Sequence, residues 1–183
     1  SLIIQSEYLG SLTKDEAMLK EIGELKASAE ESIEELRRSL RMMREDFDLG
    51  MGIEDYVKTF AERTQLPVKF ERSGEWLGHL APEASLALFR VLQELLNNAL
   101  KHAKAKLVEV RLSFLPERVQ LSVKDDGQGF DTSAVRPSTH GLAGMRHRVE
   151  AAGGRLTVTS APGQGTRIFA VLPANTAQQA APH

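Results

Sequence analysis

Gln93-Glu94-Leu95-Leu96-Asn97-Asn98-Ala99-Leu100-Lys101-His102 is the stretch on which the fold turns. It closes a strongly helical segment that Pro82 and Glu83 open and that extends to Ala103. Proline suits a first helical turn, and an acidic residue suits the positive end of the helix. Beyond it the periodicity changes. Val108, Val110 and Leu112 alternate with polar residues, Leu115-Pro116-Glu117 forms a turn, and Val119, Leu121 and Val123 repeat the alternation. Period two with one apolar face predicts an antiparallel hairpin. Within the helix, Glu94, Asn98 and Lys101 lie at steps of four and three and so share a face, with His102 beside them. A carboxylate and an amide oxygen one turn apart are hard donors suited to Mg²⁺, which takes few protein oxygens and fills its shell with phosphate and water. Lys101 then sits near those phosphates as a point charge. The same residues also suit a plain solvated helix face.

Working outward, Ile53 to Thr64 reads as a short helix and Pro67 to Glu71 as a short strand. Gly141 to Ala152 reads as a helix ending at Gly153-Gly154, where glycine closes helices. Leu156 to Ser160 and Arg167 to Leu172 form a second hairpin across Pro162-Gly163-Gln164-Gly165. Separate blocks of helices and antiparallel strands predict an α+β fold, a two-layer sandwich.

Three further segments carry chemistry. Asp125-Asp126-Gly127-Gln128-Gly129-Phe130 leaves the end of a strand; glycines there let backbone approach a flat ligand, and the carboxylate can accept from an exocyclic amine. A simple Asp/Gly turn is the other reading. His140-Gly141-Leu142-Ala143-Gly144-Met145-Arg146 opens a helix, and unpaired N–H groups at a helix start suit phosphate; close helix packing or a hinge is the plainer alternative. Asp131 to Thr139 between them is a polar stretch suited to a lid. Gly163-Gln164-Gly165-Thr166 is the last of the set.

Ahead of all this, Met18, Ile22, Leu25, Ala29, Ile33, Leu36, Leu40 and Met43 step by three and four along a helix from about Thr13 to Arg44. Glu34 is spaced to pair with Arg38. So narrow a seam calls for a partner helix, supplied by Leu2 to Leu12 and a second copy of the chain, or else by the main domain.

The totals bound the possibilities. With 183 residues there is room for one well-buried domain and an appendage. A net charge of −2 gives no sign of a nucleic-acid surface, and the absence of cysteine excludes disulfides and thiolate chemistry and fits a reducing cytoplasm. No apolar run reaches the roughly 20 residues of a membrane span, so any membrane contact is expected only through parts outside this sequence. The start, Ser1-Leu2-Ile3-Ile4-Gln5, lacks Met and enters directly into an apolar pattern, which reads as a fragment of a longer protein. Ala174 to His183 lacks periodicity and is expected to be disordered.

The order and spacing of the four segments resemble the ATPase domain of bacterial sensor histidine kinases. That domain is part of the GHKL (Bergerat) superfamily shared with DNA gyrase, Hsp90 and MutL, and the resemblance covers about residues 50 to 173. Gln-Glu-Leu-Leu-Asn-Asn-Ala-Leu-Lys-His-Ala and Gly-Leu-Ala-Gly-Met-Arg-His-Arg are similar to the subfamily paired with NarL/LuxR-type response regulators. The resemblance implies ATP and Mg²⁺ as ligands and signal transduction as the role. It places the Mg²⁺-binding amide at Asn98, the polarising or general-base carboxylate (also next to the metal) at Glu94, and the phosphate cation at Lys101. His102 is structural or near the nucleotide. The adenine-reading carboxylate falls at Asp125, with Gly127 and Gly129 beside the base, Gly141, Leu142 and Gly144 in the next box, and Gly165-Thr166 in the last. Ala143 and His147 depart from the Arg and Glu common in that subfamily.

It also implies a division into residues 1–48, a partial dimerisation hairpin; 49–173, the catalytic domain; and 174–183, the tail. The five histidines are His79, His102, His140, His147 and His183, none in the N-terminal helices. The phosphoacceptor is therefore expected upstream in the parent protein, or the chain is a relative that lacks one. Homodimerisation through those helices and a response-regulator partner follow from the kinase reading. A gyrase- or Hsp90-like clamp is disfavoured because the chain ends soon after the last strand; an anti-sigma-like binding module remains the alternative.

Overall fold

A computed structural model describes residues 2–13, 15–42, 44, 47–75, 80–132 and 140–174. Most of the expected lid and tail, together with His79, His183 and Met43, lie outside these. The chain divides into two compact units, Ser1–Arg41 and Met42–His183. Among the described residues no helix is long and apolar enough to cross a membrane.

The first unit holds α1 (Leu2–Leu12) and α2 (Glu16–Met42). Asp15 starts α2 by accepting from the backbone N–H groups of Ala17 and Met18, the work of an N-cap side chain. Glu34 reaches Arg37 at 3.7 Å and Arg41 at 3.1 Å; the Arg38 side chain lies outside the described residues. The seam is open: Met18, Leu25, Leu36 and Leu40 of α2, and Ile4, Tyr8 and Leu12 of α1, are all exposed.

The second unit begins with α3 (Leu49–Thr64), longer at its start than expected because Asp48 caps it, accepting from the N–H of Met51 at 3.0 Å. Then come β1 (Val68–Ser73), α4 (Pro82–Asn98), a π-turn (Ala99–Ala103), β2 (Val108–Leu115), β3 (Arg118–Asp125), α5 (His140–Ala151), β4 (Arg155–Ser160) and β5 (Thr166–Pro173). The five strands order as β1-β2-β3-β5-β4. Both expected hairpins pair antiparallel, and β3 joins β5 the same way. The first strand differs from the antiparallel expectation: β1 runs parallel to β2, Val68 opposite Val108. Parallel neighbours need a crossover, and α4 provides it by carrying the chain back along the sheet.

Alternation then builds the core. Val108, Val110, Leu112, Val119, Leu121, Ile168, Ala170 and Leu172 point to one face and are buried under Leu88, Leu92 and Leu96 of α4 and Met145 and Val149 of α5. Tyr56 of α3 meets Phe89 of α4 edge-on at 4.9 Å, an arrangement favoured by ring quadrupoles. The opposite face of the sheet carries Arg111, Ser113, Ser122 and Arg167, so helices cover one side only. The result is the two-layer α+β sandwich that the patterning predicts.

Candidate functional site

The end of α4 sets the geometry. Its α-helical hydrogen bonding gives way to a π-turn at Ala99–Ala103, which Lys104 ends in the left-handed region at φ 53°. A π-turn holds one extra residue, which rotates the positions beyond it by about 100° relative to a continuous α-helix. The position facing inward therefore passes from residue 101 to residue 102. Both residues are exposed, but His102 lines the cavity beside Asn98 and Lys101 does not.

Tertiary contacts hold this turn in place. The backbone N–H of Gln128 donates to the carbonyl of Ala103 at 2.8 Å, and its side-chain Nε2 donates to the carbonyl of His102 at 2.8 Å. Gly127 is buried against Ala103 so closely that a Cβ there would overlap the Ala103 carbonyl. Asp126 completes the clamp by accepting from the N–H groups of Lys106 (2.7 Å) and Leu107 (3.0 Å). Those two donors, Leu107 foremost, hold its carboxyl below the usual aspartate range.

Around the turn lies a cavity of about 470 Å³. Glu94, Asn98 and His102 come to it from α4 and the π-turn, Asp125 and Gly129 from the end of β3, Gly141 and Leu142 from the start of α5, and Thr166 from β5. Leu95, Ala99, Val123 and Ile168 give it apolar walls, the mix of flat apolar surface and few polar groups usual for a small-molecule site. Gly127 supports the site from behind, donating its N–H to Asp125 Oδ1 at 2.9 Å. Gly144 lies farther along α5, outside the lining.

Asp125 is half-buried, and loss of solvent raises its carboxyl above the usual aspartate range. The N–H groups of Gly127 and Thr166 oppose that shift, and the neighbouring Asp126 charge adds to it. The ionised carboxylate accepts from an amine more strongly than the neutral acid does. Ligand affinity through Asp125 is therefore expected to fall as pH drops through its raised pKa, at a higher pH than for a solvated aspartate; calorimetric titrations across pH 4 to 8 check this.

At the other end, a Cβ on Gly141 would stand 2.8 Å from Glu94 Oε1 and 4.0 Å from Asn98 Nδ2. Glycine at 141 thus lets the start of α5 approach the carboxylate and amide of α4. Glu94 and Asn98 supply two hard oxygens, and among the described residues no cluster of three or more His, Asp or Glu forms a full cage. That donor set fits a cation whose shell is completed by phosphate, as Mg²⁺ prefers.

Patterning missed two parts of the site. Gln128 was legible only as a residue between glycines, yet it pins the π-turn. Ser160, at the end of β4, read as the close of a strand, yet its hydroxyl contacts three separate backbone or side-chain groups. Its inward parity with Leu156 and Val158 was the available signal.

A family model described as histidine kinase-, DNA gyrase B-, and HSP90-like ATPase matches residues 83–176. The signal transduction histidine-protein kinase/phosphatase DegS of Brevibacillus brevis is 35% identical over 184 residues, an alignment that covers 96% of this chain and 47% of that protein. The chain thus spans less than half the length of that relative. Among solved structures, full-length ShkA in complex with AMPPNP aligns with 97% of this chain and 43% of its own, at a TM-score of 0.65 and 19% identity. The histidine kinase domain of the blue-light activated kinase from Erythrobacter litoralis EL346 aligns over 94% of both chains, at a TM-score of 0.59 and 19% identity. These two likenesses speak to the fold.

Proposed function

The chain belongs to the histidine kinase-, DNA gyrase B- and HSP90-like ATPase family, and from that membership we propose that it is the ATP- and Mg²⁺-binding catalytic region of a two-component sensor histidine kinase. One observation carries the reading: Glu94, Asn98, Asp125, Gly141 and Thr166, from four separate elements, line a single cavity. Asp125 reads the adenine amine, with Gly127 and Gly129 beside the base. Asn98 and Glu94 hold the metal, and Glu94 also polarises the attacking group. Gly141 and Leu142 at the start of α5 receive the phosphates, with His102 nearby; Gly144 and Lys101 stand outside the lining and act on the phosphates only from beyond it. Bound Mg²⁺ supplies charge neutralisation for phosphoryl transfer, a reaction that depends on positioning and electrostatics.

In this reading residues 1–48 belong to a dimerisation hairpin, residues 49–173 form the catalytic domain and 174–183 a tail. The exposed seam of α2 supports homodimer formation, since so long an apolar stripe gains most by packing on another helix. The γ-phosphoryl group goes to a histidine outside α1 and α2, which contain none, and then to an aspartate of a response regulator. The wording of the motifs supports a NarL/LuxR-type regulator, and a chain without cysteine fits a cytoplasmic site of action.

Titration of ATP with and without Mg²⁺ tests the metal assignment. Mg²⁺ is expected to tighten ATP binding to the unaltered chain, and Asn98→Ala to lose about tenfold of that gain, a typical effect of one charge-assisted contact. An equal Mg²⁺ gain in both proteins contradicts the role of Asn98. The lack of a histidine in α1 and α2 also favours a second reading, a binding module that uses ATP to hold a partner. Phosphoryl transfer separates the two.

A further inference from the structure

We propose that Ser160 is a positioning residue that fixes the direction of the Thr166 hydroxyl, and through it the preference of the cavity for a 6-amino over a 6-oxo purine. The inference rests on the reading of the cavity as a nucleotide site and adds its base specificity.

The supply of protons decides the direction of each bond. A serine hydroxyl has one hydrogen to donate and two lone pairs with which to accept. The backbone N–H of Phe130 donates to Ser160 Oγ at 2.9 Å, occupying one lone pair. The carbonyl of Gly165 lies 2.8 Å from the same oxygen, and a carbonyl can only accept, so the Ser160 proton goes there. Thr166 Oγ1 stands 3.1 Å away. With the Ser160 proton already committed, that contact is a hydrogen bond only if Thr166 donates into the second lone pair. All three bonding positions of Ser160 are then filled.

This fixes what Thr166 offers. Its single hydroxyl proton points at Ser160, so toward the cavity that it lines Thr166 can present only lone pairs. Its backbone N–H donates to Asp125 Oδ1 at 3.3 Å, as does that of Gly127 at 2.9 Å, which leaves Oδ2 uncommitted among the described residues. At this end the site therefore shows two acceptors and no hydroxyl donor. Adenine carries an amine at position 6, a donor, where a 6-oxo purine carries an acceptor. The first is satisfied and the second meets lone pairs.

Removing the Ser160 hydroxyl frees the Thr166 proton to turn into the cavity and donate to a 6-oxo group. Asp125 still opposes that group, so discrimination falls without vanishing. The test measures Kd of the whole chain for ATP and for inosine triphosphate, its 6-oxo analogue, by calorimetry. In Ser160→Ala the ratio of the two Kd values is expected to fall about fivefold, the effect of one neutral hydrogen bond. Ser160→Thr, which keeps the hydroxyl, is expected to hold the unaltered ratio. If Ser160→Ala does not fold, Ser160→Cys keeps the volume with only a weak donor and acceptor, and the same fall is expected. Equal weakening for both nucleotides, with the ratio unchanged, overturns the proposal and leaves Ser160 a structural residue. An unaltered chain that binds neither nucleotide overturns the nucleotide-site reading instead.

Discussion

Asp125→Asn is expected to lower ATP affinity about a hundredfold while leaving the free protein as stable as before, or more so, at neutral pH. A hydrogen bond to a charged acceptor contributes about 1.5–3 kcal/mol, and the upper end corresponds to roughly a hundredfold in Kd. The amide keeps an oxygen to receive the N–H groups of Gly127 and Thr166, so the turn it supports is retained. The stability sign comes from linkage. Burial raises the pKa of Asp125 in the folded chain, so between the unfolded and folded pKa values the folded state binds more protons. Stability therefore declines as pH rises through that window, and the ionised carboxylate is a cost above it. Asparagine removes that cost. Calorimetric ATP titration and thermal denaturation of the free chain, both at pH 7.5, check the two halves. Lost affinity together with a lower Tm contradicts this role for the residue.

The second large effect belongs to Gly165→Ala. Gly165 is at φ +70°, where a side chain costs about 1–2 kcal/mol. Its Cβ would also overlap the carbonyl oxygen of Asp125 and stand 3.0 Å from that carbonyl carbon and 3.2 Å from the Cα of Asp126. These are backbone atoms of the turn that carries the Asp125 carboxylate, so relief requires moving that turn. Strain and overlap together are expected to cost about 2–5 kcal/mol of stability and to abolish ATP binding. Gly163→Ala is the matched control. Its φ of +78° carries the same backbone cost, but a Cβ meets nothing within 4 Å. It is expected to lose about 1–2 kcal/mol and to bind ATP normally. Urea denaturation of the two variants side by side measures the difference; equal losses contradict the packing described for Gly165.

How much of the fold and site could be read in advance depended on the distance over which each feature is decided. The helix from Pro82 and the two hairpins were legible, because their periods are local and one face of each is buried. The parallel direction of β1 was not. Only Val68 and Phe70 of that strand are even partly buried, and such a pattern reads the same in either direction. The π-turn was hidden for a related reason. Ala99 to Ala103 is good helical sequence, and the bonds that hold its widened turn come from Gln128, more than twenty residues away. Hence the expectation that Glu94, Asn98 and Lys101 share a face stops at Asn98, and His102 takes the inward position. Ser160 was missed because Phe130, thirty residues away, reaches it only through tertiary packing; Thr166 faces it across the hairpin, but that local contact alone gives no sign of a site.

The most direct measurement of the central claim is phosphoryl transfer. The chain, with γ-labelled ATP and Mg²⁺, is mixed with a separately supplied histidine-bearing dimerisation hairpin of a sensor histidine kinase. The kinase assignment predicts labelled hairpin with an acid-labile phosphohistidine, ADP formed in equal amount, and no label when Asp125→Asn replaces the unaltered chain. Tight binding of ATP with no label on any histidine contradicts that assignment and leaves the binding module in its place.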